Sequence, residues 1–91
     1  MEIEFDPDKR KANIAKHGVD FLVAAQVFLD PFRLDAPDDR TEYKEERRLC
    51  LGKVEDRVYV VVYVIRQEAL RIISAMKANE REQRKYREIQ A

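Results

Sequence analysis

The sequence predicts an α+β domain: an antiparallel sheet of about four to five strands, two N-terminal helices on one face, and a C-terminal helix. Three observations carry this reading. Four strand-like segments follow one another with short turns between Pro31 and Ala75, which favours hairpins over crossovers. Helix punctuation is dense before them, at Asp6-Pro7, Gly18 and Asp20. After them the chain turns almost wholly polar, from Asn79 to the end.

The elements follow in order. Glu2-Ile3-Glu4-Phe5 alternates polar and apolar residues and reads as a short strand. Asp6 offers a side-chain acceptor at the N-cap and Pro7 a preset φ at the first helical position, so a helix begins there. It ends at Lys16-His17, where Gly18 supplies the left-handed residue that closes helices. Asp20 caps a second helix with Phe21, Ala24, Ala25 and Phe28 at helical spacing, and Asp30-Pro31 stops it. A short strand and an acidic turn then span Pro31 to Thr41. Arg47 to Gly52 alternates, with Leu49 and Leu51 on one face, while Val58 to Ile65 is apolar throughout and reads as a central strand buried on both faces. Gln67-Glu68 turns the chain into an antiparallel neighbour from Leu70 to Ala75. Asn79 with Glu82 forms a capping box for the last helix.

Composition bounds the function. A chain of 91 residues, read here as a single domain over 1–91, supports one core. No apolar run approaches the ~20 residues needed to cross a bilayer, so no membrane partner is expected and the cytoplasm is the expected location. The lone Cys50 lies between leucines and reads as a core thiol. Net charge is +0, but its distribution is uneven: residues 30–46 hold seven acids against three bases, and residues 66–91 seven bases against four acids. That asymmetry suits a local anionic ligand better than nonspecific coating of nucleic acid. The only glycines are Gly18 and Gly52, so no phosphate-cradling glycine loop exists, and no Cys/His spacing suggests a metal or other cofactor. What remains is a set of cations with a few titratable partners.

Such a set is sufficient for metal-free RNA cleavage, which needs proton transfer and stabilisation of charge on a phosphate, a task for which the arginine fork is suited. The pattern Phe5-Asp6-Pro7, Lys9, Asn13, Lys16-His17-Gly18-Val19, Phe21, Ala24, Val27-Phe28, Tyr43, Glu45-Glu46-Arg47, Gly52, Tyr63, Arg66, Arg71-Ile72-Ile73-Ser74-Ala75, Lys77-Ala78, Glu82 and Tyr86 resembles the BrnT toxin family. The resemblance implies a RelE-like fold and a ribonuclease activity that inhibits translation. It implies neutralisation by a BrnA-like ribbon-helix-helix antitoxin, with operator DNA bound only through the complex. One position departs from the family, which usually has arginine where this chain has Met76. Methionine cannot donate to phosphate, so the alternative is a weakened or inactive module that serves as antitoxin partner and corepressor.

The candidate catalytic residues are His17, Glu46, Arg47, Arg66, Arg71 and Lys77, with the arginines and Lys77 holding phosphate and His17 or Glu46 moving protons. Each has a plainer role beside it. His17 suits a helix C-terminus electrostatically, and Glu46 with Arg47 suits an exposed strand-edge pair. Arg66 and Arg71 flank the same hairpin. Arg71 and position 76 have opposite strand parity, so they share a face only if the strand ends or bulges between them. Arg81, Arg84, Lys85 and Arg87 read as a solvated helix face or a contact for an acidic partner, and Tyr59 and Tyr63 as core or a base-stacking platform.

Overall fold

A computed structural model of the chain describes residues 2–40 and 45–90. Thr41, Glu42, Tyr43 and Lys44 lie outside the described residues, so the acidic turn is seen only as far as Arg40. The elements are β1 (Ile3–Glu4), α1 (Pro7–His17), α2 (Phe21–Ala24) continued by a 3-10 segment (Ala25–Leu29), β2 (Leu34–Pro37), β3 (Arg48–Val54), β4 (Arg57–Arg66), β5 (Ala69–Lys77) and α3 (Glu80–Gln90). The architecture is α+β, with a five-stranded sheet in the order β1-β5-β4-β3-β2.

The sheet corrects one expectation. β1 pairs β5 in parallel, Ile3 with Leu70 and Glu4 with Arg71, so the sheet is mixed, whereas β2 to β5 are antiparallel. A two-residue edge strand carries too little pattern to reveal its direction. The helix caps match the sequence: the Asp6 side chain accepts from the Asp8 N–H, the Asp20 side chain from the Leu22 N–H, and Gly18 sits at φ 67°. The second helix is shorter than its spacing suggests, because after one α turn it tightens to 3-10 where Val27 lies on Gly52 of β3. A Cβ at Gly52 would come 2.6 Å from Val27 Cβ, so this packing requires glycine.

The core lies between this helical layer and one sheet face. Phe21, Ala24 and Val27 meet Cys50, Val54, Val61, Tyr63, Leu70, Ile72 and Ala75. On β3 the core-facing residues are therefore Cys50, Gly52 and Val54, while Leu49 and Leu51 point to the other face. That face is not bare apolar sheet. Val60, Val62 and Val64 are only 2–3 % exposed, with Leu49, Leu51, Ser74 and Met76 as cross-strand neighbours.

Two side chains tie the remaining helices down. Asn13 of α1 lies at the edge of β5 that β1 is too short to cover: its amide nitrogen donates to Ala75 O (2.7 Å) and Val19 O (2.9 Å), and its oxygen accepts from the Ala75 N–H (3.1 Å). One amide thus stands in for a neighbouring strand. In α3, whose predicted capping box is present through reciprocal Asn79–Glu82 bonds of 2.8 Å, buried Tyr86 donates its hydroxyl to Asp30. Asp30 also accepts from the backbone of Phe32 and Lys53.

Candidate active site

Strand register assembles the site. Arg66 ends β4 and pairs with Ala69, and Arg71 pairs with Val64, so both lie at the β4–β5 turn. Val64 and Arg66 are two apart in one strand, which puts Arg66 and Arg71 on the same face, opposite the core residues Tyr63, Leu70 and Ile72. The turn between them, Gln67-Glu68, holds both residues at positive φ (49° and 69°), the geometry a two-residue hairpin loop demands. Arg47 enters from the start of β3, beside Arg48, whose partner is Tyr63.

Glu45 is the point on which these cations converge. Arg66 grips its carboxylate with both prongs of the guanidinium, Nε on Oε2 at 2.7 Å and Nη2 on Oε1. These bonds, together with the nearby charges of Arg66, Arg47 and Arg71, hold the Glu45 carboxyl below its ordinary pKa. Arg71 also meets Glu4 of β1 at 3.4 Å. Of the six predicted site residues Arg66 bonds this carboxylate, and Arg47 and Arg71 act on it through their charge.

The other three lie elsewhere. Glu46 turns to Arg48, 3.6 Å away. Arg48 belongs to a separate network on the core side, where it holds Asp35 (Nε–Oδ1 2.9 Å) and the Tyr63 hydroxyl donates to the same carboxylate. Phe28 packs edge-on against the Tyr63 ring at 5.1 Å, and burial with the Asp35 bond pushes the Tyr63 phenol up to about 12. Tyr63 is thus a core residue with a satisfied hydroxyl. Lys77 pairs with Tyr59 at the opposite end of β5, which at ~3.3 Å per residue is about 20 Å along the strand from Arg71. His17 closes α1, four residues after Asn13, whose side chain bonds the Ala75 backbone four residues along β5 from Arg71. The expected convergence of Lys77 and His17 with the arginines does not occur.

Met76 shares the face of Arg71. The β4–β5 register slips between Val62 and Tyr63, so that Ser74 pairs with Val62 but Ile72 with Tyr63. Ile72 and Ala75 both point into the core, three residues apart instead of two. The bulge restores parity between Arg71 and position 76, and it leaves Lys77 on the other side.

Glu45 belongs to the family pattern in the sequence, but neither it nor Glu4 is among the candidate catalytic residues read there. The available signal was parity: Glu45 lies two residues before Arg47, and acidic partners are needed wherever arginines gather without a ligand. Cys50 is buried, and desolvation pushes its thiol up to about 12, so it carries no nucleophilic chemistry. Among the described residues no group of three His, Cys, Asp or Glu side chains is placed to hold a metal ion, and no helix is long and apolar enough to cross a membrane. A separate cavity of about 640 Å³, lined in part by Leu29, Phe32, Lys53 and Tyr86, lies away from the arginines.

Fold and rim together define a small α+β domain with guanidinium groups on one face at one end of its sheet. The family model for the ribonuclease toxin, BrnT, of type II toxin-antitoxin systems matches residues 5–82, and the chain belongs to that family. Comparison with curated proteins gives no match. The family makes the chain a ribonuclease toxin, with RNA as substrate and an antitoxin as partner. Most of α3 lies beyond the matched span.

Proposed function

We propose that this chain cleaves RNA without a metal ion at the rim formed by Arg47, Arg66 and Arg71. The observation that carries the proposal is the Arg66 fork on the Glu45 carboxylate, with Arg71 on the same face of the same turn, since a guanidinium fork that fits a carboxylate also fits a phosphate. The ribose 2′-hydroxyl attacks the adjacent phosphorus, a P–O2′ bond forms, and the P–O5′ bond breaks. One proton leaves the 2′-oxygen and one reaches the departing 5′-oxygen. Arg66 and Arg71 bear the charge that develops on the nonbridging oxygens, and Arg47 orients the chain. Proton handling falls to Glu46, the candidate nearer the rim, in place of His17. Lys77 drops out of phosphate binding. The antitoxin in this reading is a BrnA-like ribbon-helix-helix protein, and operator DNA is reached only through the complex.

Cleavage of a defined RNA by purified protein tests this directly. Activity persists in excess chelator, and Arg66→Ala and Arg71→Ala each lose about 10²–10³ in rate, the usual effect of removing one transition-state donor. Activity that vanishes with chelator and returns with a divalent ion, or an Arg66→Ala protein as active as the parent, sinks the proposal.

A second reading, an attenuated copy retained as antitoxin partner and corepressor, is favoured by one observation. Met76 shares the face of Arg71, about 16 Å further along β5, and Lys77, pointing the other way, supplies no cation on that face. Met76→Arg then raises cleavage at least tenfold. Equal rates for the two proteins count against this reading.

A further inference from the structure

We infer that Glu45 is a built-in competitor of the substrate phosphate: its carboxylate occupies the Arg66 fork in the free protein and gives way when RNA binds. This rests on the reading of the rim as the RNA site and adds what controls occupancy there. The Arg66–Glu45 contact uses both guanidinium prongs against both carboxylate oxygens, the arrangement arginine adopts with a phosphate. Arg47 and Arg71 act on the same carboxylate, so it stands where the three positive fields overlap. Among the described residues no other carboxylate is placed in this way. Glu4 makes a single contact of 3.4 Å with Arg71 and acts on Arg66 only through space, and Glu46 faces Arg48.

The pair is also built to open. Side chains of Arg66 and Glu45 are 47 % and 44 % exposed, so water takes over both partners as they separate, and such pairs are individually weak. Glu45 precedes β3 and is outside the sheet ladder, so its side chain can swing away without breaking a strand pairing. With Glu45 and Glu4 in place the rim is nearly neutralised in the resting protein. The polyanion must displace a carboxylate in order to bind, which limits capture of stray anions and makes a firm grip depend on several phosphate contacts at once. Glu45 is in this sense a specificity-determining residue, one that sets the threshold for occupancy.

The test measures binding of a short 2′-O-methyl RNA, which lacks the attacking hydroxyl, to the full chain and its variants across a salt series, with thermal midpoints recorded for each. Glu45→Gln, which keeps the side chain's size and removes its charge, binds about two- to fivefold more tightly at low salt. The slope of log K against log salt stays parallel to that of the parent, because Glu45 has given way in both complexes and the same phosphates release their counterions. Inorganic phosphate competes better against the probe in this variant than in the parent. Unchanged or weaker RNA binding by a folded Glu45→Gln protein overturns the inference and makes Glu45 a support for Arg66. Arg66→Ala separates the two levels. If it binds the probe as well as the parent does, the rim is not the RNA site and both readings fall. If it binds poorly while Glu45→Gln does not tighten binding, only the competitor role falls.

Discussion

Replacing Asn13 with alanine tests the contact that fastens the helical layer to the strand bearing Arg71. The side chain is buried and makes three hydrogen bonds of 2.7 to 3.1 Å, two of them to the backbone of Ala75. At about 1 kcal/mol net for each bond the loss is about 3 kcal/mol. Leaving the Ala75 N–H and carbonyl unsatisfied at a buried edge adds to this, and the better helix propensity of alanine returns about 0.5 kcal/mol. A net cost of about 3 kcal/mol is a large share of the 5–15 kcal/mol typical of a domain. At about 4–8 °C per kcal/mol for a chain of this size, Tm falls by about 12–24 °C. Urea and thermal unfolding followed by circular dichroism measure the effect, and hydrogen exchange at the Ala75 amide locates it. Asn13→Asp keeps the acceptor but loses both donors and brings a charge into a buried site, so it is at least as damaging. A loss below about 0.5 kcal/mol for Asn13→Ala, with the Ala75 amide still protected, refutes the claim that this amide completes the sheet edge.

Gly52→Ala forces a methyl group against Val27 backbone and side chain at 2.6 to 3.0 Å; it costs about 1–3 kcal/mol by overpacking, and an unchanged unfolding midpoint contradicts the close approach. Asp20 is held down to about 2, chiefly by its hydrogen bonds with Arg10 and then by the Leu22 amide. A carboxyl with a depressed pKa stabilises the fold above its unfolded value, near 4, and that contribution disappears as pH falls through about 2. Asp20→Asn preserves a good N-cap and removes the charge, so the stability gap between parent and variant is present at pH 7 and closes between about pH 4 and 2. A gap that is constant over this range rules out the ion pair as its source.

Much of the fold was readable because its signals are local. Asp6-Pro7, Gly18 and Asp20 bound their helices as cap chemistry requires, and Val60 to Val64 of β4 are buried on both faces as an unbroken apolar run implies, whereas Val58 is half-buried and Ile65 exposed at the ends of the run. The pairing of Arg66 and Arg71 at one turn followed from counting along a hairpin. What escaped depends on partners distant in sequence. Leu49 and Leu51 lie on one face as expected, but alternation has no sign, and only the packing of Val27 on Gly52 reveals that Cys50, Gly52 and Val54 face the core. Asn13 looks like a poor helix former until Ala75 is beside it. Glu45 is one acid among many in its stretch, distinguished in the fold by Arg66 and Arg71, which β4 and β5 bring near it.

The bulge in β5 shows how the core decides the chemistry of the opposite face. Ile72 and Ala75 are both fully buried among Phe21, Val61 and their neighbours. A regular strand cannot point residues three apart in the same direction, so an extra residue must be accommodated between them, and the register slip opposite Val62 and Tyr63 does so. Without that slip, burying Ile72 would turn Met76 toward the helices and Lys77 toward the face of Arg71. With it, Met76 lies with Arg71 and Lys77 is turned away. The packing of two apolar side chains thus determines which of two adjacent residues, Met76 or Lys77, shares the sheet face of Arg71.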